Sequence, residues 1–230
     1  MGPSLIMAVR HGETTANVAY AEAARRGVPI VLPGRDVDAP LSELGRTQAA
    51  ALGRWLGTLP PLRRPGAVWC SPYARARETW RIAQESMGKR RSQERALKTW
   101  VDERLGDRVM GELELMNPHA IVERFPEEAR RWRAVGEYAY RPPGGESFGD
   151  IAARLRAFVA DLDGLADGRR VLIVAHDAVV VVLRHVLAVR DDSDMTGIAA
   201  FGPVANASVT TWERRDGRLT LGEFNAIGHL

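Results

Sequence analysis

Two distant stretches of this chain use the same device. Ser4–Val9, in "SLIMAVRHG", is a short apolar run that stops at Arg10 and His11, and Val171–Ala175, in "RRVLIVAHD", is a near-continuous apolar run that stops at His176. A third run, Ala67–Ser71 ("AVWCS"), leads through Pro72 into a segment carrying Arg75 and Arg77. Runs this short, apolar at consecutive rather than alternate positions, read as strands buried on both faces. Such strands need helices above and below them, which confines the chain to a few α/β architectures.

The segments between the runs supply those helices. Ser42 is placed to cap a helix that carries Leu44, Leu52, Trp55 and Leu56, and a further helix follows Pro72. Val18–Pro40, polar and glycine-containing, reads as a long loop, Ala96–Val101 as another strand, and Pro118–Val135 as a highly charged helix. "YRPPGGES" is the strongest break, after which Ser147 and Asp150 form a capping pair for a helix over Phe148–Leu162. Ile151, Leu155, Phe158, Val159 and Leu162 share one face of it. An apolar helix over Ala178–Val189 follows His176, and Ser208–Phe224 offers two strands joined at Asp216-Gly217. The expected fold is α/β: a mostly parallel central sheet with helices on both faces, in one domain spanning 1–230. A helical insertion or lid is expected around 113–141.

With 230 residues, 45% of them apolar and 27% charged, one substantial core is affordable. The net charge of +3 is dispersed. The short clusters Lys89-Arg90-Arg91 and Arg130-Arg131 read as solvated helix faces, and the arginines do not interleave with aromatics as nucleic-acid binders require, so no nucleic-acid partner is expected. The lone thiol, Cys70, permits no internal disulfide and fits a reducing cytoplasm. No run approaches the roughly 18–20 apolar residues of a membrane span, and the opening apolar run is too short for a signal segment and lacks a charged region before it. A cytoplasmic protein without membrane attachment is expected, with an exposed edge strand as a surface for a homodimer.

In open α/β sheets, ligands collect beyond the C-terminal ends of the strands, where Arg10, His11, Arg75 and His176 all fall. Planar guanidinium forks match the oxygens of a phosphoryl group. A neutral imidazole attacks phosphorus if its other nitrogen donates to a fixed acceptor, and a second, protonated imidazole stabilises charge on oxygen. Two arginines and two histidines divide that work naturally.

The motifs resemble those of the histidine phosphatase superfamily, the phosphoglycerate-mutase-like group. Its "RHG" signature stands at Arg10-His11-Gly12, and "LSELGRTQAAALG" (Leu41–Gly53), "SPYARARET" (Ser71–Thr79), "DERL" (Asp102–Leu105), "PPGGES" (Pro142–Ser147) and "VAHD" (Val174–Asp177) follow in the family's order. The resemblance covers almost the whole chain and implies a three-layer sandwich. It implies that His11 becomes phosphorylated, that Arg10, Arg75 and His176 complete the phosphate pocket, and that Asn17 adds a hydrogen bond to phosphate. It implies no metal and no organic cofactor. The proton donor of the family is usually a glutamate in a pattern resembling "RLxExxxG"; here "RLGDRVMG" aligns Asp107 with it, one methylene shorter, and Glu103 is the fallback.

The activity so implied is hydrolysis of a small phosphorylated substrate. The alternatives are a phosphoglycerate-mutase-type phosphotransferase, from which the chain departs in lacking "LNERHYG", and a non-catalytic module that binds phosphorylated ligands. "GESFG" (Gly145–Gly149) matches a serine-hydrolase elbow in letters, but no strand precedes it, and Ser147 reads as a helix cap. Arg75 and Arg77 both miss the position six after Cys70 that a cysteine-dependent phosphatase needs, so Cys70 reads as a buried strand residue. His119, His185 and His229 lack comparable context, and no His-x-His or His-Glu-x-x-His spacing supports zinc.

Overall fold

The computed structural model describes residues 2–88, 97–188 and 203–230. A six-stranded sheet runs through it in the order β3-β2-β4-β1-β5-β6, with β1 Leu5–Arg10, β2 Ala67–Cys70, β3 Thr99–Val101, β4 Arg170–Ala175, β5 Val209–Arg215 and β6 Arg218–Leu221. The first four strands in that order are parallel, whereas β5 runs antiparallel to β1, and β6 to β5. The hairpin between β5 and β6 turns on Asp216 and Gly217, both at positive φ (49° and 77°), the backbone that a tight two-residue turn demands.

The consecutive apolar letters of the strands are explained by the two layers that cover them. Leu5, Met7, Val9, Val68, Leu172 and Val174 point to one face, where α2 (Glu43–Thr58) and α3 (Ala74–Ser86) lay down Leu52, Leu56, Trp80 and Ala83. Ile6, Ala8, Trp69, Val171 and Ile173 point to the other, against Leu155, Phe158 and Leu162 of α6 (Phe148–Leu165) and Val179 and Val182 of α7 (Asp177–Ala188). The three-layer α/β sandwich is therefore the observed fold. Ser147 caps α6 in a reciprocal box with Asp150, as expected. Cys70 is buried in β2, where loss of hydration pushes its thiol up to about 12.

Three expectations change. Val18–Pro40 is not all loop: α1 occupies Thr15–Arg26, opened by a capping box between Thr14 and Asn17 and closed by Gly27 in the left-handed conformation. Only Ala16 and Ala23 of α1 are buried, so it carries almost no apolar stripe for periodicity to detect. Pro118–Val135 is two helices, α4 (Pro118–Arg124) and α5 (Pro126–Val135), because Pro126 starts afresh at the first position of α5 and Phe125 before it leaves the helical region. β3 begins only at Thr99. Ala96, Val189 and the Lys89-Arg90-Arg91 cluster lie outside the described residues.

Segment 113–141 has a small apolar cluster of its own, Leu113, Ile121, Ala129 and Tyr140. Asn117 ties it to the chain after α1: its backbone N–H donates to the Ile30 carbonyl at 3.2 Å, its side-chain N–H to the Val28 carbonyl at 2.8 Å, and its Oδ1 accepts from Ile30 N–H at 3.0 Å. Among the described residues no helix is long and apolar enough to cross a membrane.

The α2–α3 contact depends on backbone proximity. A Cβ built on Gly53 would run into the Ala83 carbonyl, and one on Gly57 would lie 2.6 Å from the Met87 carbonyl oxygen. Gly53→Ala is expected to cost about 1–3 kcal/mol and lower Tm by roughly 2–4 °C per kcal/mol. On α6, a Cβ at Gly164 meets nothing within 4 Å, so Gly164→Ala should hold or raise stability by up to about 1 kcal/mol. Calorimetric melting of the pair checks this; equal Tm values would contradict the close-packing account.

Candidate active site

The parallel pairing of β1 and β4 sets Arg10 opposite Ala175, and His11 N–H donates to the Ala175 carbonyl at 2.9 Å. This places the residues after the two strands, His11 and His176, side by side, their ring centroids 5.2 Å apart at 61°. β2, on the far side of β4, is followed by Ser71, whose N–H donates to the Val174 carbonyl and whose hydroxyl lies 2.8 Å from His176 Nε2. The first turn of α3 then carries Arg75 into the same place. Three adjacent strand ends thus deliver to one place groups that stand far apart in the sequence.

His11 is buried, and its Nδ1 meets the Gly12 carbonyl at 2.8 Å. A carbonyl only accepts, so Nδ1 carries the proton and Nε2 keeps its lone pair. Burial first, then the charges of His176, Arg75 and Arg10, hold the imidazole pKa well below its ordinary value, against a smaller upward pull from Gly12. His11 is therefore a neutral imidazole with a fixed tautomer.

Arg75 is buried as well. Its Nη1 donates to the Asp36 carbonyl at 2.6 Å, and its Nη2 donates to Asp36 Oδ2 and Asp107 Oδ2, both at 2.8 Å. Its guanidinium lies over the Tyr73 ring at 4.7 Å. Asp107 Oδ2 also sits 3.2 Å from His176 Nδ1, and its Oδ1 accepts from Arg108 N–H at 2.9 Å. Burial alone would raise the Asp107 pKa, but His176 first and then Arg75 overcome it and hold the carboxyl well below the usual range. Glu103 instead lies exposed on a 3-10 turn, Glu103–Leu105.

Arg10 Nη1 donates to the Val204 carbonyl at 2.5 Å, while its buried Nε has no hydrogen-bond partner among the described residues. A buried donor without a partner is costly, and an anion at the strand ends would satisfy it. Asn17 spends its Oδ1 on the α1 cap, accepting from Thr14 N–H at 3.1 Å, and also takes a bond from Asn206 Nδ2 at 3.3 Å. Its amide nitrogen is what it has left to offer a ligand.

His11, Asp107 and His176 each place one donor atom within 4.8 Å of the others, close enough to share a cation. Arg75, bonded to Asp107, repels one there. The same surroundings suit an oxyanion better, since the guanidinium edges would attract it. Beside Asp107 and Asp36 a cavity of about 320 Å³ opens toward Tyr20, Tyr73 and Phe148.

Asp36, Ser71 and Thr79 carry no role in the sequence reading. Thr79 Oγ1 accepts from Gly12 N–H at 3.0 Å and donates to the Arg75 carbonyl at 2.7 Å, joining the two halves of the site. Ser71 and Thr79 bound the "SPYARARET" motif, so the signal was at hand. Nothing marks Asp36, which lies in a polar stretch remote in sequence from Arg75. His119 is exposed, His185 buried in α7, and His229 Nε2 donates to the Ala207 carbonyl at 3.0 Å while the ring packs on Trp55.

Parallel strand ends that gather two arginines, two histidines and a carboxylate define a phosphoryl-transfer site. The chain belongs to the histidine phosphatase superfamily (branch 1), whose family model matches residues 6–227. It is 31% identical to the glucosyl-3-phosphoglycerate phosphatase of Mycobacterium tuberculosis over 231 residues, covering 96% of this chain and 90% of that one. It is also 31% identical over 178 residues to a 2,3-bisphosphoglycerate-dependent phosphoglycerate mutase of Methylorubrum populi, covering 75% of this chain and 73% of the mutase. Among solved structures, a mycobacterial glucosyl-3-phosphoglycerate phosphatase in complex with VO3 superimposes with a TM-score of 0.74 at 28% identity, covering 97% of this chain and 100% of that one.

Asp36 holds Arg75 with its carboxylate and its carbonyl at once, so an arriving phosphate must compete with it. Asp36→Asn keeps the shape and removes the charge. Inhibition by inorganic phosphate should tighten about fivefold, equivalent to ~1 kcal/mol; unchanged or weaker inhibition would show that Asp36 does not compete.

Proposed function

We propose that this protein hydrolyses phosphomonoesters of small molecules through a phosphohistidine on His11, with no metal taking part. The observation that carries the proposal is the fixed tautomer: Nδ1 committed to the Gly12 carbonyl leaves Nε2 as the nucleophile beside Arg75 and His176. Arg10, Arg75 and His176 hold the phosphoryl oxygens and stabilise the charge that grows on them. Asn17 offers its amide N–H to the same group.

Asp107 is the acid and base. In the free site it is ionised, drawn to His176 and Arg75; a bound phosphate takes over those partners and adds negative charge, which raises the carboxyl pKa until it holds a proton. His11 Nε2 then bonds to phosphorus as the ester P–O bond breaks, and Asp107 gives its proton to the leaving oxygen. In the second half, water attacks phosphorus, its proton passes to the Asp107 carboxylate and the P–N bond breaks, releasing inorganic phosphate and neutral His11. Segment 113–141 forms one wall of the cavity that receives the leaving group.

The similarity to a phosphoglycerate mutase favours a second reading, in which the phosphoryl group returns to a bound product rather than to water. A binding module without chemistry is the third. Release of phosphate from a simple ester in the presence of chelator separates all three. Wild type should turn over and His11→Ala should not; turnover that survives in His11→Ala would overturn the proposal. In kcat/KM, which reports transfer to His11 and not the later hydrolysis, Asp107→Asn should lose about 10²–10⁴-fold with an alkyl phosphate, whose leaving oxygen needs a proton, and far less with 4-nitrophenyl phosphate, whose leaving group does not. Equal losses on both substrates would remove Asp107 from the acid role.

A further inference from the structure

We infer that the group esterified to phosphate is uncharged or cationic, with an apolar ring or chain, and that a leaving group bearing a carboxylate is rejected; this deepens the hydrolase reading and rests on it. The cavity beyond the phosphate position sets this selectivity. Among the described residues its wall carries five carboxylates, Asp36, Asp107, Glu114, Glu137 and Asp177, against a single guanidinium, Arg108. Recognition of a carboxylate on the substrate would require a cation with donors to spare.

Each of the three Arg108 nitrogens is already engaged elsewhere. Its Nε donates to the Glu146 carbonyl at 3.0 Å, Nη1 to Glu137 Oε1 at 2.6 Å and Nη2 to the Tyr140 carbonyl at 2.8 Å. Its side chain is 8% exposed and lies 4.8 Å over the Phe148 ring. To reach a ligand it would abandon one ion pair and two carbonyls, so it serves as a strut between segments rather than as a carboxylate receptor.

The carboxylates are unequally compensated. Asp36 and Asp107 share Arg75, and Glu137 has Arg108. Glu114 accepts from Asp36 N–H at 2.9 Å, and Asp177 from Ala178 N–H at 2.8 Å, but neither faces a cation among the described residues. Once a phosphate draws Arg75 to itself and Asp107 takes up its proton, Asp36 loses its cation and joins Glu114 and Asp177 as a carboxylate without one. Two phenols that face it register this field: Tyr20 and Tyr73 are both pushed up to about 12, by burial first and then by Asp36 for Tyr20 and by Asp107 and Asp36 for Tyr73. The rest of the wall is apolar, with Met110, Leu113 and Phe148. An anionic leaving group would meet like charge along this wall, whereas an ammonium or a neutral ring would not.

Three aryl phosphates test this without changing the chemistry: 4-ethylphenyl phosphate, tyramine O-phosphate, and the phosphate ester of 3-(4-hydroxyphenyl)propanoate. In the two charged esters, two methylenes separate the ring from the charge, so the leaving-group acidity is nearly constant across the set. The expected order of kcat/KM is ammonium at or above neutral, with the carboxylate roughly tenfold or more below neutral. Replacing the two uncompensated acids by their amides, Glu114→Gln with Asp177→Asn, should narrow the ammonium-to-carboxylate gap to about threefold or less. A carboxylate ester turned over as well as the neutral one, or a gap untouched by the double variant, overturns the inference. If none of the three is hydrolysed, the hydrolase reading fails separately, and the order of their dissociation constants in calorimetry still decides the charge preference.

Discussion

The site is organised by a hydrogen bond between neighbours: the Nδ1–H of His11 and the carbonyl of Gly12, 2.8 Å apart. Everything around it keeps that carbonyl in place. Gly12 N–H is held by Thr79 at 3.0 Å, and Ala207 N–H donates back to the Arg10 and His11 carbonyls at 3.0 and 3.1 Å. The loop also lies directly on the first turn of α2: a Cβ on Gly12 would come 2.5 Å from the Gly45 carbonyl oxygen, and one on Gly45 would strike the Glu13 carbonyl. The glycines of "RHG" and "LSELG" are therefore two sides of one backbone contact. The sandwich positions the strand ends, and this contact fixes which nitrogen of His11 faces them.

Electrostatic economy around Arg75 links the free and loaded states. A buried guanidinium without partners would be prohibitively costly. Here it is neutralised by Asp107 from within the site and by Asp36 from the turn Asp36–Asp38. The two carboxylates occupy the donors that a phosphate would use, so the free site already resembles its ligand-bound charge balance. On the proposed mechanism, binding exchanges one set of anions for another and so changes the protonation of Asp107. Tying the pKa of Asp107 to phosphate occupancy would then let a carboxylate that is ionised in the free site act as a donor only when substrate is present.

The strands and the residues just beyond them were legible because burial on both faces writes consecutive apolar letters, and such a run stops where the chain leaves the core. That is why Arg10, His11 and His176 stand out. Arg75 is legible through the strand before α3, and Asp107, placed by resemblance, does lie beside His176 at 3.2 Å. Helix α1 was not legible: alanines and charges pack against little and leave no stripe, and its boundaries rest on a cap at Thr14 and a left-handed Gly27. The α4–α5 break was written in Pro126, but the charge pattern on either side reads as one continuous helix. Asp36 could not be found by pattern at all, since its role arises only when a polar turn folds back over α3, and periodicity carries no information about such a return.

The most direct test of the account is the identity of the phosphorylated atom. Rapid quenching of the enzyme during turnover, followed by 31P NMR and mass spectrometry of the trapped protein, distinguishes Nε2-phosphohistidine from Nδ1-phosphohistidine and from an acyl phosphate. The tautomer set by Gly12 predicts a single acid-labile, base-stable phosphate on Nε2 of His11. Phosphate on Nδ1 of His11, on His176 or on a carboxylate would contradict it.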